Sequence, residues 1–150
     1  MENTIRMSDA YVVARFEPTR ETFEQIAGEG FRSVVSLQTT GEDQKLPIED
    51  ERRTAEAAGL AFYHQPVSGH SLDDAAVDRF REALGRLPRP ILLHCASGKR
   101  SGAMTMMHLA SEQGMTGDEA IERAEEMGFE CDTPELEAFV KDYVDRHRQG

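Results

Sequence analysis

One short segment of the sequence places a thiol, a glycine, a guanidinium and a hydroxyl close together. Its residues are His94, Cys95, Ala96, Ser97, Gly98, Lys99, Arg100 and Ser101. A thiolate is a strong nucleophile, and aligned backbone amides at the start of a helix hold small oxyanions. The segment therefore predicts a loop, residues 96–101, that binds an oxyanion beside a reactive Cys95.

Four residues of this segment have an expected individual role. Gly98 permits the tight turn, and the planar fork of Arg100 can hold two oxygens at once. Ser101 is expected to hydrogen-bond the Cys95 sulfur and to assist its departure when a covalent intermediate breaks down. We expect His94 to orient the loop through its ring nitrogens rather than to act as a base.

A cysteine at the end of a strand is often only a small apolar residue of the core. The combination of Cys95 with the glycine, arginine and serine after it favours a functional role instead. Cys131 lies between Glu130 and Asp132, two acids that oppose thiolate formation, so we expect it to be structural. Two cysteines are too few for a disulfide framework, which is typical of a reduced, intracellular protein.

The elements around the segment predict a fold that can position it. Short apolar runs alternate with longer amphipathic ones. Strands are predicted over 11–15, 33–37, 61–67 and 91–93. Helices are predicted over 19–29, 47–58 and 72–87, from the end of the loop after Cys95 to near 114, and in two later segments that open at Thr116 and Thr133. The pattern predicts a three-layer α/β sandwich, with a mostly parallel central sheet of about four or five strands and helices on both faces. Methionines 104, 106 and 107 are interpreted as core residues.

Composition limits the partners. The chain has 150 residues and a net charge of −11, a field that repels nucleic acid and anionic membrane surfaces. We expect one domain, residues 1–150, in the cytoplasm, since charged residues interrupt the N-terminal segment and exclude a signal peptide or membrane span there. The histidines and carboxylates show no metal-ligand spacing, so no metal or cofactor is predicted, and the oligomeric state stays open.

The segment at Cys95 resembles the signature of cysteine-dependent tyrosine and dual-specificity phosphatases. The wider sequence resembles the bacterial phosphatase-like domain of the beta-lactamase hydrolase-like group, on the runs Asp9-Ala10-Tyr11-Val12, Gly30-Phe31-Arg32-Ser33-Val34-Val35 and Tyr63-His64-Gln65-Pro66-Val67. The resemblance implies a dual-specificity-phosphatase-like fold. It also implies Cys95 as nucleophile, Arg100 as oxyanion clamp and Ser101 as helper of the leaving thiolate.

Two features depart from the resembled pattern. Four residues, rather than five, separate Cys95 from Arg100, a spacing that resembles rhodanese-type sulfurtransferases. The resembled phosphatases also supply an aspartic acid from the loop after the preceding strand. Here the acid candidates are His70, Asp73 and Asp74, but Ser71 with Asp74 predicts a helix start, so both aspartates are interpreted as structural.

These observations leave three functions. The first is hydrolysis of a phosphate monoester through a cysteinyl-phosphate intermediate at Cys95. The alternative is a rhodanese-like sulfurtransferase that carries a persulfide on Cys95, and the third is a catalytically weak module that binds a phospho-ligand. In each case the expected partner is a small anion, either a phosphate ester or a sulfur donor.

Overall fold

Apolar runs of about four residues form the strands of the protein, and the amphipathic runs between them form the helices. The computed structural model describes residues 3–39, 46–67, 72–95, 99–128 and 134–147, without the side chains of 99 and 100. The strands are β1 (Thr4–Arg6), β2 (Tyr11–Ala14), β3 (Ser33–Ser36), β4 (Ala61–His64) and β5 (Ile91–His94). The helices are α1 (Arg20–Gly28), α2 (Ile48–Ala57), α3 (Asp74–Arg86), α4 (Lys99–Glu112), α5 (Gly117–Glu126) and α6 (Pro134–His147).

The five strands form one sheet in the order β1-β2-β5-β3-β4. Strands β2, β5, β3 and β4 are parallel, and β1 pairs with β2 in the antiparallel sense at one edge. The register places Ala14, His94, Ser36 and His64 level with one another across the sheet. The chain therefore leaves all four parallel strands at the same edge, where ligands bind in open α/β sheets.

Helices cover both faces of the sheet. Leu93 and Cys95 belong to a core shared with α3, α4, α5 and α6, whereas Leu92 belongs to a second core shared with α1 and α2. This division follows from the alternation of side chains along β5, which is paired on both edges and buried on both faces. The predicted three-layer sandwich with a mostly parallel sheet is confirmed.

Two strands differ from the sequence prediction. Strand β1 was not predicted, because it is only three residues long and half-exposed at the edge. Strand β4 ends at His64 rather than 67, although the amides of Gln65 and Val67 still bond to the carbonyls of Ser36 and Leu37. The methionines of α4 are buried, as predicted for core residues. The assignment of residues 1–150 to one domain stays a prediction.

A buried polar network lies away from the carboxyl ends of the strands and joins β2, α3, α4 and α6. The Nε of Arg81 donates to Nδ1 of His108 over 3.2 Å, so Nδ1 is an acceptor and the ring is neutral. Nε2 of His108 lies 3.2 Å from the Tyr11 hydroxyl and 3.2 Å from a Glu112 carboxylate oxygen. Arg81 also donates to the hydroxyl of Tyr143.

The pKa of His108 is lowered from 6.5 to about 4, chiefly because burial disfavours the charged ring. The Glu112 carboxylate opposes this change, whereas the cationic Arg81 and Arg89 add to it. In the same network, burial and a hydrogen bond to Asp78 raise the pKa of Tyr143 to about 12. The network therefore favours the neutral form of the His108 ring.

We predict that the free energy of unfolding falls as the pH falls from about 6.5 to about 4. In that window the unfolded chain binds a proton at His108 that the native state refuses, and the full contribution is roughly 3 kcal/mol. Urea unfolding across this range measures it. His108→Gln, which can still accept from Arg81, should show a flatter dependence, and equal slopes in the two proteins would contradict the assignment.

Helices α5 and α6 approach closely at Gly117. A Cβ added there would lie 2.4 Å from the carbonyl oxygen of Lys141 and 2.6 Å from its Cα. The amide of Gly117 also donates to the Asp145 carboxylate over 2.7 Å. Thr116 caps the same helix in a capping box with Glu119, as predicted from the sequence. Glycine is therefore required at 117 by backbone proximity.

We predict that Gly117→Ala lowers the free energy of unfolding by about 1–3 kcal/mol, since the added methyl overlaps the backbone of α6. Gly85→Ala is the matched control: Gly85 lies within α3, and its added Cβ meets nothing within 4 Å. That variant should gain roughly 0.5–1 kcal/mol in urea unfolding. Equal effects of the two substitutions would show that the contact between α5 and α6 relaxes.

Candidate active site

Cys95 directly follows the central strand β5, at the carboxyl edge of the sheet. The amide of Leu37 donates to the carbonyl of His94 over 2.9 Å, which extends the pairing of β3 with β5 to the residue before the cysteine. The side chain of Cys95 is completely buried. The backbone that carries the thiol is therefore fixed by the sheet.

Ser101 lies in the first turn of α4 and faces the cysteine. Its hydroxyl oxygen is 3.4 Å from the Cys95 sulfur, and the serine is completely buried. A hydroxyl at this distance can donate to a thiolate. The beginning of α4 at Lys99 also directs the positive end of the helix dipole toward the segment after Cys95. The Ser101 hydroxyl is therefore within hydrogen-bonding distance of the Cys95 sulfur, at the start of the helix that follows it.

Several predicted site residues lie outside the described part of the chain. These are the loop residues Ala96, Ser97 and Gly98, the acid candidate His70, and Cys131. The backbones of Lys99 and Arg100 form the start of α4, but their side chains are not described. The role of Arg100 as an oxyanion clamp therefore stays a prediction.

The ring of His94 is held by a residue that the sequence analysis did not single out. Nε2 of His94 lies 2.5 Å from a carboxylate oxygen of Glu51, and both side chains are almost completely buried, at 0% and 2% exposure. Glu51 lies in the first turn of α2, beside Glu49 and Asp50. Acids in a first turn usually stabilise the helix dipole, so the sequence carries no signal that separates Glu51 from its neighbours.

Both aspartates proposed as acids have structural partners. Asp73 is the N-cap residue of α3, and its carboxylate accepts from the amide of Ala76 over 2.8 Å. Asp74 pairs with Arg146 of α6, and the hydrogen bond from that guanidinium lowers the pKa of Asp74. The structural interpretation of these aspartates agrees with the contacts. The prediction that Ser71 begins the helix was wrong, because Asp73 caps it two residues later.

Further polar side chains follow the ends of the neighbouring strands. The side chain of Gln38, after β3, donates to the Glu17 carboxylate over 2.9 Å, and Nε2 of His64 donates to the Gln38 carbonyl over 2.6 Å. Gln65 donates to the carbonyl of Ala76 over 2.8 Å and so ties the end of β4 to α3. These contacts brace the carboxyl edge on either side of Cys95.

Two broader features of the described residues concern metal binding and membrane spans. No group of three or more histidine, cysteine, aspartate or glutamate side chains is arranged to hold a metal ion there. In the same residues, no helix is long and apolar enough to cross a membrane.

A buried cysteine at the end of a central parallel strand, followed by a helix whose first turn presents a serine to the sulfur, defines a phosphatase-like α/β domain. The chain belongs to the family of phosphatase-like domains of beta-lactamase hydrolase-like proteins, whose family model matches residues 9–113. A beta-lactamase hydrolase-like protein of Xylella fastidiosa is 30% identical over 115 residues, which are 76% of this chain and 27% of that protein. The chain thus corresponds to about a quarter of that relative.

Solved structures share the fold over nearly the whole chain. A candidate phosphatase from Neisseria meningitidis Z2491 is 26% identical, with a TM-score of 0.76 over 99% of this chain and all of that one. P. aeruginosa TpbA, solved with phosphotyrosine, is 22% identical, with a TM-score of 0.73 over 96% and 88% of the two chains. The kinase associated phosphatase is 16% identical, with a TM-score of 0.79 over 96% and 93%. The expected dual-specificity-phosphatase-like fold is confirmed.

We predict that Asp73 acts as a helix cap and not as a proton donor. Asp73→Ala should lower the free energy of unfolding by about 1 kcal/mol, because the amide of Ala76 loses its acceptor. Asp73→Asn still caps but cannot donate an acidic proton, so it should keep both the stability and the rate of substrate turnover. A variant that is stable but has lost its rate would identify Asp73 as the acid.

Proposed function

We propose that this domain hydrolyses phosphate monoesters through a cysteinyl-phosphate intermediate on Cys95. The observation that carries the proposal is the 3.4 Å contact between the buried Cys95 sulfur and the Ser101 hydroxyl, at the carboxyl end of the central strand. The family, and the phosphatase-like neighbour that is 26% identical, support the same reaction class. The bound phosphotyrosine of TpbA suggests a phosphorylated ligand here too.

In the first step the Cys95 thiolate attacks phosphorus, a sulfur–phosphorus bond forms, and the bond to the leaving oxygen breaks. The backbone amides of 96–101 and the Arg100 guanidinium are proposed to hold the three equatorial oxygens. In the second step water attacks phosphorus, inorganic phosphate leaves, and Cys95 departs as a thiolate. The hydroxyl of Ser101 stabilises that departing charge.

The leaving group decides how much an acid matters. Protonation by a positioned acid typically contributes about 100-fold to 10,000-fold to a rate, and both candidate aspartates are held in structural contacts. A phenolate leaves without a proton far more readily than an alkoxide does. We therefore propose aryl phosphates as the better substrates, with His70 as the remaining acid candidate.

Sulfur transfer is the second candidate, and two observations favour it. The spacing of four residues between Cys95 and Arg100 is that of rhodanese-type enzymes, and the reaction needs no acid. The Cys95 thiolate would attack the outer sulfur of thiosulfate, the sulfur–sulfur bond would break, and sulfite would leave with the electron pair. Cyanide would then take the outer sulfur as thiocyanate and restore the thiolate.

We expect the protein to release inorganic phosphate from para-nitrophenyl phosphate, and Cys95→Ser to reduce the rate to the buffer background. The serine hydroxyl is far less nucleophilic than a thiolate at neutral pH. Cys131→Ser is the matched control, because it removes the other thiol of the chain and should keep the rate. Phosphate release that survives Cys95→Ser would contradict the proposal.

A parallel measurement separates the candidates. Incubation with thiosulfate followed by intact mass spectrometry would reveal a cyanide-labile gain of one sulfur on Cys95 if the domain transfers sulfur. The proposed phosphatase predicts no such gain. Binding of phosphate without either reaction would indicate the third candidate, a module that binds a phospho-ligand without turnover.

A further inference from the structure

Glu51 and His94 form a buried pair that the proposed reaction does not use. His94 is the residue directly before Cys95, and its ring lies on the opposite face of the sheet from the thiol, toward α1 and α2. Glu51 approaches the ring from α2, where it and Ala55 form the buried side of the helix. A contact that spans 43 positions in sequence thus joins α2 to the strand that carries the nucleophile.

We propose that Glu51 is a positioning residue for the nucleophile, acting through His94. This inference rests on the proposed role of Cys95, and it adds a residue that does not itself touch the substrate. Glu51 fixes the imidazole through Nε2, and the anchored side chain adds to the sheet pairing as a restraint on the end of β5, from which Cys95 projects.

The hydrogen bonds of the His94 ring support this assignment. Within the described part of the chain, Nδ1 of His94 is buried and has no hydrogen-bond partner, so Glu51 is the group there that orients the ring. The register pairs of β5 with β2 and β3 end at His94, so a change in how that side chain is held acts first on the peptide that leads to Cys95.

Because the pair is buried, the Glu51 carboxylate depends on His94 for its hydrogen bond. A carboxylate removed from water is unfavourable unless a donor or an opposite charge satisfies it, and the Nε2 atom of His94 at 2.5 Å supplies that donor. The arrangement resembles the carboxylate–histidine pairs that orient reactive or ligating imidazoles elsewhere in proteins. Here the oriented group is the residue next to the nucleophile.

The test compares Glu51→Gln with Glu49→Gln in the full chain. Both substitutions replace a carboxylate in the first turn of α2 by an isosteric amide, but Glu49 is exposed and Glu51 is buried against His94. The first readout is the rate at which iodoacetamide alkylates Cys95, followed by peptide mass spectrometry that separates Cys95 from Cys131. This readout is the same whether the thiolate carries phosphoryl or sulfur.

We expect Glu51→Gln to slow alkylation of Cys95 and to lower kcat for para-nitrophenyl phosphate by about 10-fold to 100-fold, with KM changed less than about threefold. Glu49→Gln should match the wild type in both measurements. A Glu51→Gln protein within about twofold of the wild type overturns the inference. A wild-type protein whose Cys95 is unreactive overturns the proposed function, and the inference with it.

A double-mutant cycle distinguishes positioning from a general structural effect. If Glu51 acts through His94, Glu51→Gln adds no further loss in a His94→Phe background, whose ring has no hydrogen-bonding atom for Glu51, whereas independent losses would multiply and overturn the inference. Thermal melting shows whether each variant folds. Should Glu51→Gln not fold, His94→Phe removes the contact from the strand side, and an undiminished rate in that folded variant overturns the inference.

Discussion

The alternation of side chains at the end of β5 is the constraint on which the candidate site depends. Leu93 and Cys95 face the core beneath α3 to α6, whereas Leu92 and His94 face the core beneath α1 and α2. Because the strand is hydrogen-bonded on both edges, a shift of its backbone moves the side chains on both faces together. Cys95 and the histidine before it therefore pack against two different helix layers while sharing one paired strand.

The net negative charge of the chain opposes anion binding at this edge of the sheet. With a net charge of −11, the protein repels the anion that it is proposed to bind. Basic residues on the described helices do not offset this at long range, since Arg53, Lys141 and Arg146 each lie beside carboxylates. Attraction is therefore needed from groups within a few ångströms of the anion, and the loop amides, the start of α4 and Arg100 are the groups we propose for it.

Local patterns were sufficient to predict the fold and the position of Cys95 at the end of a buried strand. The run 91–93 is wholly apolar and followed by polar residues, so a buried strand ending near Cys95 could be read directly. Contacts between distant segments could not be predicted from local patterns. Glu51 looks like any acid in a first turn, and only the packing of α2 against the sheet shows that it reaches His94. Likewise serine and aspartate are both favourable N-cap residues, so the sequence did not separate Ser71 from Asp73, which caps α3.

The same site serves both proposed reactions, because both end with the departure of Cys95 as a thiolate from phosphorus or from sulfur. The Ser101 hydroxyl favours that step in either case. The reactions differ in their first leaving group: sulfite and a phenolate leave as stabilised anions, whereas an alkoxide needs a proton. The structural contacts of Asp73 and Asp74 therefore weigh against alkyl phosphates, and they leave aryl phosphates and thiosulfate equally accessible. We propose that the spacing of four residues between Cys95 and Arg100 selects between these two through the size of the anion that it admits.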